Sequence, residues 1–234
     1  TGATAAQAQV PDGEWHAFGR DAANTKYSPL DQITADNFTD LRIAWRWASL
    51  SQAVVAEHEQ IRPSAFMSSP LMADGLVYVS TALGQAAALD AGTGETVWTH
   101  DPRIYDYMDR PPNMGWRHRG LTYWKDSESD DARIFMANHD LKLVALNART
   151  GAVYPEFGEN GYIDLTKGYS REIDASRMTY SSPVAVAGDT IITGSVVQDT
   201  NLRLREASPG DVRAYDARTG EMKWIFHTIP QGDE

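Results

Sequence analysis

The chain of 234 residues contains no cysteine, which excludes structural disulfides, thiolate metal sites and cysteine nucleophiles together. Basic residues are in deficit. With 21 lysines and arginines against 32 acidic residues the formal net charge is −11, so phosphate backbones and anionic lipid surfaces are poor partners and nucleic acid is not an expected ligand. No run approaches the roughly 18 consecutive apolar residues needed to span a bilayer. The six histidines (16, 58, 100, 118, 139 and 227) lack metal-ligand spacing such as i, i+4 with an acidic base, and read as scattered surface or core residues.

What is present is enough apolar residue, 42%, for a real core in one or two domains. The start, Thr1 to Gln9, is small and polar, and Ala6-Gln7-Ala8 fits the small-residue pattern of a signal-peptidase site. Residues 1–13 are therefore expected to be a flexible mature N-terminus left by a removed export signal, in a periplasmic or otherwise exported protein, with a linker tail as the alternative.

A repeat organises the remainder. Ala87-Ala-Leu-Asp-Ala-Gly-Thr-Gly-Glu-Thr-Val-Trp98, Val144-Ala-Leu-Asn-Ala-Arg-Thr-Gly-Ala-Val-Tyr154 and Arg213-Ala-Tyr-Asp-Ala-Arg-Thr-Gly-Glu-Met-Lys-Trp224 share one pattern: an apolar strand, Asp or Asn, two residues, Thr-Gly, and a second strand ending on an aromatic. The pattern has hairpin chemistry. Asp90, Asn147 and Asp216 can bond back to turn amides, and the glycines can take positive φ. Upstream of each lies a further strand pair: Ser69–Val79, then Gly120–Trp124 with Arg133–Ala137 joined by the acidic turn Asp126–Asp131, then Ser182–Ile192. The Asp/Asn positions lie 57 and 69 residues apart, a size that suits four-stranded propeller blades with loop insertions.

The expected fold is therefore all-β, a β-propeller of four-stranded antiparallel blades over residues 14–234, about three blades in this chain, with a β-sandwich as the alternative. Leu41–Trp47 reads as an incoming strand, helix is expected only in short pieces such as the stretch after Thr34, and Trp45, Trp47, Trp98, Tyr154 and Trp224 read as interblade packing. Three blades leave sheet edges open, so a remaining propeller segment or a second chain is expected to complete the ring.

The segment Trp15-His-Ala-Phe-Gly-Arg-Asp-Ala-Ala-Asn-Thr-Lys-Tyr-Ser-Pro-Leu-Asp-Gln-Ile-Thr-Ala-Asp-Asn37 closely resembles the opening of the quinoprotein (PQQ-dependent) alcohol and glucose dehydrogenases. Its role reads as structural, with Trp15 and Tyr27 supplying apolar area and Asp21, Ser28 and Asn37 satisfying turn amides. His118-Arg-Gly-Leu-Thr-Tyr-Trp124 is similar to the family's Asn-Arg-Gly motif, and Gly210–Pro230 looks like the form in glucose-dehydrogenase-like members. The resemblance implies an eight-bladed propeller that uses PQQ and Ca²⁺ to oxidise a small alcohol or sugar hydroxyl, passing electrons to cytochrome c or a membrane quinone.

Residue by residue, the resemblance assigns Arg119 to a PQQ carboxylate, which a planar guanidinium can hold bidentately. Asn113-Met114 stands where many alcohol-oxidising relatives carry adjacent cysteines, leaving Met114 to cover the quinone. Ser181 lies where relatives place hydroxyl donors, with Tyr180 replacing the usual threonine. Glu57 or Glu59, at the opening of what reads as a polar linker, is a further cofactor contact. Asp199, within Gly194-Ser-Val-Val-Gln-Asp-Thr200, is the metal ligand, with Asn201 as the alternative. Trp124 replaces a histidine of glucose-oxidising membrane relatives, which puts glucose in doubt. The catalytic base is expected beyond Glu234. A non-catalytic envelope scaffold and a propeller hydrolase or sugar-binding module are the rival readings.

Overall fold

The computed structural model of the chain describes residues 10–21, 23–112, 115–169, 171–194 and 208–230. Three four-stranded sheets follow one another, each an antiparallel meander. The first holds β1 (Leu71–Ala73), β2 (Leu76–Ser80), β3 (Ala86–Asp90) and β4 (Thr96–His100); the second β5 (Thr122–Lys125), β6 (Ala132–Ala137), β7 (Lys142–Asn147) and β8 (Tyr162–Asp164); the third β9 (Ala185–Ala187), β10 (Thr190–Thr193), β11 (Val212–Asp216) and β12 (Met222–Phe226). The three repeat units are thus three blades.

The middle sheet is buried on both faces, which is why β6, Ala-Arg-Ile-Phe-Met-Ala, is nearly continuous in apolar residues rather than alternating. Ile134 and Met136 pack with Leu71, Tyr78, Ala88 and Trp98 of the first sheet, while Phe135 and Ala137 pack with Ile191 and Tyr215 of the third. A residue step of one along the strand switches the partner sheet.

Each blade turns on its Asp or Asn. Asp90 Oδ1 accepts from the amides of Gly92 and Thr93, Asn147 Oδ1 from Arg149 and Thr150, and Asp216 Oδ1 from Arg218 and Thr219, at 2.8–3.0 Å. The glycine closing the turn has φ of +74° at Gly94 and +72° at Gly151, a conformation that a Cβ would strain. It also lies flat under an indole. A Cβ on Gly94 would come within 2.5 Å of the Trp45 ring, and one on Gly151 within 2.7 Å of Trp98. The two indole N–H groups donate to the turn carbonyls of Ala91 (3.0 Å) and Ala148 (2.8 Å). Trp98 therefore ties the first blade to the turn of the second. The third turn is met differently: the backbone amide of Gly158 donates to Thr219 O at 2.8 Å.

Polar bonds reinforce these seams. Tyr123 Oη donates to Asp74 (2.9 Å), Trp124 Nε1 to Gly188 O (3.1 Å), and Arg133 Nη1 to the carbonyls of Ala217 and Arg218. Arg218 in turn pairs with Asp126 and with Asp189. The acidic turn Asp126–Asp131 joins β5 to β6 as expected, and Asp126 doubles as an interblade ion-pair partner.

Some expectations are corrected. The fourth strand of the middle blade is not Ala152–Tyr154 but β8, because Pro155 has no amide to give a ladder and the chain loops through Gly158, Asn160 and Gly161, all at positive φ, before pairing. Tyr154 packs against the core cluster shared by the second and third blades, with its hydroxyl bonded to Asn147 and Asp131. Leu41–Trp47 forms no ladder among the described residues; it crosses the first blade's turn, where Trp45 and Trp47 donate to Ala91 O and Thr96 Oγ1. Ser51–Glu57, which the sequence reading did not single out, is a short α-helix, α1, anchored by buried Val54 beside Ile61, Leu83 and Trp116.

In the opening segment Asp21, Ser28 and Asn37 each accept a turn amide, from Thr25, Leu30 and Thr34, and Trp15 pairs its backbone with Met72. Tyr27 differs from expectation: it is exposed. The short helical piece after Thr34 is a 3₁₀ turn, Phe38–Asp40. Among the described residues no helix is long and apolar enough to cross a membrane.

The indole seam makes a direct prediction. Gly151→Ala is expected to cost about 2–4 kcal/mol, from the positive φ and the clash with Trp98 combined. In a Trp98→Ala background the same change should cost only about 1–2 kcal/mol. Urea unfolding of the four proteins of this cycle measures the difference, and additive costs would remove the indole from the explanation.

Candidate cofactor site

Three segments, one leading into each blade, converge at one end of the sheets. Residues 63–69 run parallel to 116–120, with Pro63 bridged to Trp116 and Ser69 to Gly120. Ser64 N donates to Trp116 O at 2.8 Å and Ser69 N to Arg119 O at 3.1 Å; Arg119 N then donates to Ser181 O at 2.7 Å. Arg119, Ser181 and Ser182 are thereby brought side by side, although 62 residues separate Arg119 from Ser181 in the chain.

Burial alternates along 116–120. Trp116, His118 and Gly120 are buried, and Arg117 and Arg119 are partly exposed on the opposite face. Arg119 Nη1 donates to Ser182 Oγ at 3.0 Å, and among the described residues no carboxylate pairs with it. Its other donors are therefore available to an oxyanion. The Ser181 side chain is buried beside it. Tyr180 turns inward: its hydroxyl accepts from Nη2 of the fully buried Arg213 at 2.7 Å and lies 3.3 Å from Tyr169 Oη, so it is engaged in the core.

Beneath this row runs a relay of neutral imidazoles that sequence reasoning did not single out. His118 Nε2 stands 3.0 Å from Ala137 O; a carbonyl only accepts, so Nε2 carries the proton and Nδ1 accepts from the Ser80 hydroxyl at 2.9 Å. Ser80 Oγ in turn lies 3.0 Å from Ser68 Oγ. By the same reasoning His139 Nε2 donates to Ala82 O (3.1 Å) and Nδ1 accepts from Thr179 (3.3 Å). The two rings meet edge to face with centroids 6.1 Å apart. Residues 68, 80, 118, 139 and 179 thus tie all three blades together directly under Arg119. The only sequence signal was His118 standing in the Arg119 motif.

Burial pushes His118 down to about 3, with His139 adding to the effect, and burial pushes His139 down to about 4.

Glu57 is exposed as the last residue of α1, and no hydrogen bond or ion pair joins it to Arg119. Met114, Asp199 and Asn201 lie outside the described residues. Among the described residues no group of three or more His, Asp or Glu could hold a metal ion. Trp124 is buried in the seam between the second and third blades, its indole committed to Gly188 O, which makes it a packing residue.

A family model described as the PQQ glucose/ethanol/alcohol dehydrogenase β-propeller domain matches residues 15–234. The chain belongs to this family of propeller dehydrogenases. It is 29% identical to quinoprotein glucose dehydrogenase A of Acinetobacter calcoaceticus over 94% of the chain and 28% of that protein. It is 31% identical to quinohemoprotein alcohol dehydrogenase ADH IIB of Pseudomonas putida over 93% of the chain and 26% of that protein. The crystal structure of quinohemoprotein alcohol dehydrogenase from Comamonas testosteroni superposes with a TM-score of 0.71 at 27% identity, covering 95% of this chain and 28% of that one. The three sheets are therefore blades of a β-propeller, and the chain spans little more than a quarter of the length of these relatives.

The imidazole relay predicts a pH dependence. Both histidines bind protons more weakly in the folded protein than at the ordinary value of 6.5. Their contribution to stability is complete above about pH 6.5 and is lost as pH falls toward 4 and 3, at up to about 1.4 kcal/mol per pH unit for each histidine. Urea unfolding at pH 7, 6 and 5 should show this slope, and His118→Asn should remove about half of it. An unchanged slope in the variant would refute the assignment.

Proposed function

We propose that this chain forms one wall of the PQQ pocket of an exported, calcium-dependent dehydrogenase that oxidises an alcohol or sugar hydroxyl and passes electrons to a cytochrome or membrane quinone. The observation that carries the reading is Arg119: a guanidinium with no carboxylate partner among the described residues, set beside Ser181 where three blade-opening segments meet. That donor set suits a rigid polycarboxylate, because one planar fork can hold an oxyanion bidentately while hydroxyls beside it donate further bonds. Arg119 and Ser181 would hold the cofactor, Met114 would cover it, and Glu57 would approach it from α1.

Bound PQQ supplies an orthoquinone able to accept two electrons and a Ca²⁺ ion makes that quinone a better acceptor. The chain's own residues orient it. The alternation along 116–120 keeps the Arg119 guanidinium on the open face, and the neutral histidines beneath hold that segment without adding a competing positive charge. Asp199, with Asn201 as its alternative, is the proposed Ca²⁺ ligand, since a hard divalent ion favours carboxylate oxygen. None of these residues is proposed as the general base. Export to the periplasm is supported by Ala6-Gln7-Ala8.

Reconstitution of the closed ring with PQQ and Ca²⁺ tests the reading. Arg119→Ala should weaken PQQ binding about tenfold to a hundredfold, the value of one charge-assisted contact, as followed by fluorescence titration. Unchanged affinity would remove Arg119 from the site, and absence of PQQ binding by the unmodified protein at micromolar levels would favour a scaffold. For the metal, Asp199→Asn should raise the Ca²⁺ concentration needed for alcohol-dependent dye reduction at least about tenfold. If Asn201→Ala does so instead, the ligand is Asn201.

A further inference from the structure

A cleft of about 460 Å³ adjoins the Arg119 row and carries positive charge that the cofactor reading leaves unused. Its walls include Gln60, Arg62, Ser64, Asp109, Arg110 and Arg117. They are tied together at Trp116, whose carbonyl accepts from both the amide and the hydroxyl of Ser64 (2.8 and 2.9 Å) and whose indole donates to Asp109 O (3.0 Å). Gly115, at φ +64°, lets the Arg110 side chain lie close: a Cβ there would stand 3.4 Å from Arg110 Nε and 3.1 Å from Ser64 Oγ.

The three guanidiniums are hardly engaged. Arg62 makes one bond, to its neighbour's carbonyl, Ile61 O, at 3.1 Å. Among the described residues Arg110 and Arg117 form no hydrogen bond or ion pair, Asp109 forms no ion pair, and Arg117 Nε is buried without a partner. Gathering cations around one cleft costs energy through like-charge repulsion and through the desolvated N–H. An anion in the cleft relieves both. A bare inorganic anion is too small to fill it, since a water molecule occupies only about 30 Å³ of liquid and cavities of several hundred Å³ suit organic ligands. Gln60 offers an amide to further polar groups of such a ligand. Arg117 lies two residues from Arg119 on the same face, about 7 Å along an extended segment, so the cleft opens beside the proposed cofactor.

We propose that this cleft binds the oxyanion of an acidic sugar, a sugar carboxylate or sugar phosphate, through Arg62, Arg110 and Arg117. It deepens the dehydrogenase reading by naming the substrate class, and rests on that reading only for the oxidation.

Binding is tested without PQQ, so that its failure is distinct from failure of the cofactor assignment. D-gluconate, glucose 6-phosphate, D-glucose and inorganic phosphate are titrated calorimetrically into the protein. At least one acidic sugar should bind tenfold or more tighter than both glucose and inorganic phosphate, with gluconate against glucose 6-phosphate deciding which oxyanion is preferred. Arg110→Gln/Arg117→Gln should weaken that binding at least tenfold, and Arg110→Lys/Arg117→Lys should recover part of it, with thermal unfolding confirming that both variants fold. Equal binding of glucose or of inorganic phosphate, no binding by either acidic sugar, or an unchanged constant in the glutamine variant would each overturn the proposal.

Discussion

The contact between an indole and a glycine turn sets the spacing of the blades. Trp98 lies on the Asn147–Gly151 turn, with its N–H on Ala148 O, and Trp45 lies on the Asp90–Gly94 turn in the same way. The turn must be pinned by its Asp or Asn and closed by a residue without Cβ before the ring can reach it. Local turn chemistry and interblade packing are therefore one constraint. The remaining seam contacts, from Tyr123 to Asp74, Arg133 to Ala217 and Arg218 to Asp126, presuppose the approach that the indole establishes.

That approach also builds the candidate site. Once neighbouring blades are in register, the segments opening them lie side by side, and the backbone bonds from Ser69 to Arg119 and from Arg119 to Ser181 follow. Their inward side chains find one another as a neutral polar relay, while the outward ones present guanidinium groups to the open face. A protonated His118 or His139 would set a buried cation beneath those guanidiniums; burial keeps both rings neutral, and the carbonyls of Ala137 and Ala82 select Nε2 as the protonated nitrogen.

Much of the fold was legible in the chain because the turn signal is local. Asp or Asn at the first position, Thr-Gly three and four residues later, and apolar strands on either side sufficed to mark three blades. Where local signal and tertiary context diverged, the context prevailed. Tyr154 follows a Thr-Gly turn as Trp98 does, yet Pro155 withholds an amide and the fourth strand forms at Tyr162–Asp164. Leu41–Trp47 alternates like a strand, but its tryptophans are used on a turn. Ser51–Glu57 is too short for a helical period to stand out. At the site, Arg119 and Ser181 were legible through a motif, whereas the partners His139, Thr179 and Arg213 were not, because nothing in their immediate sequence marks them as neighbours.

The sequence by itself determined the turns, most of the strand pairs, the number of blades in this chain and the family, since each rests on short contiguous segments. Only the tertiary structure decided which side chains face the cofactor row and which face the core beneath it. That choice depends on the seam between blades, where residues some 40 to 60 positions apart share one hydrogen bond, as His139 with Thr179 and Arg119 with Ser182 do. Alternation along 116–120 offers two faces; the closure of one blade on the next assigns histidine to one and arginine to the other.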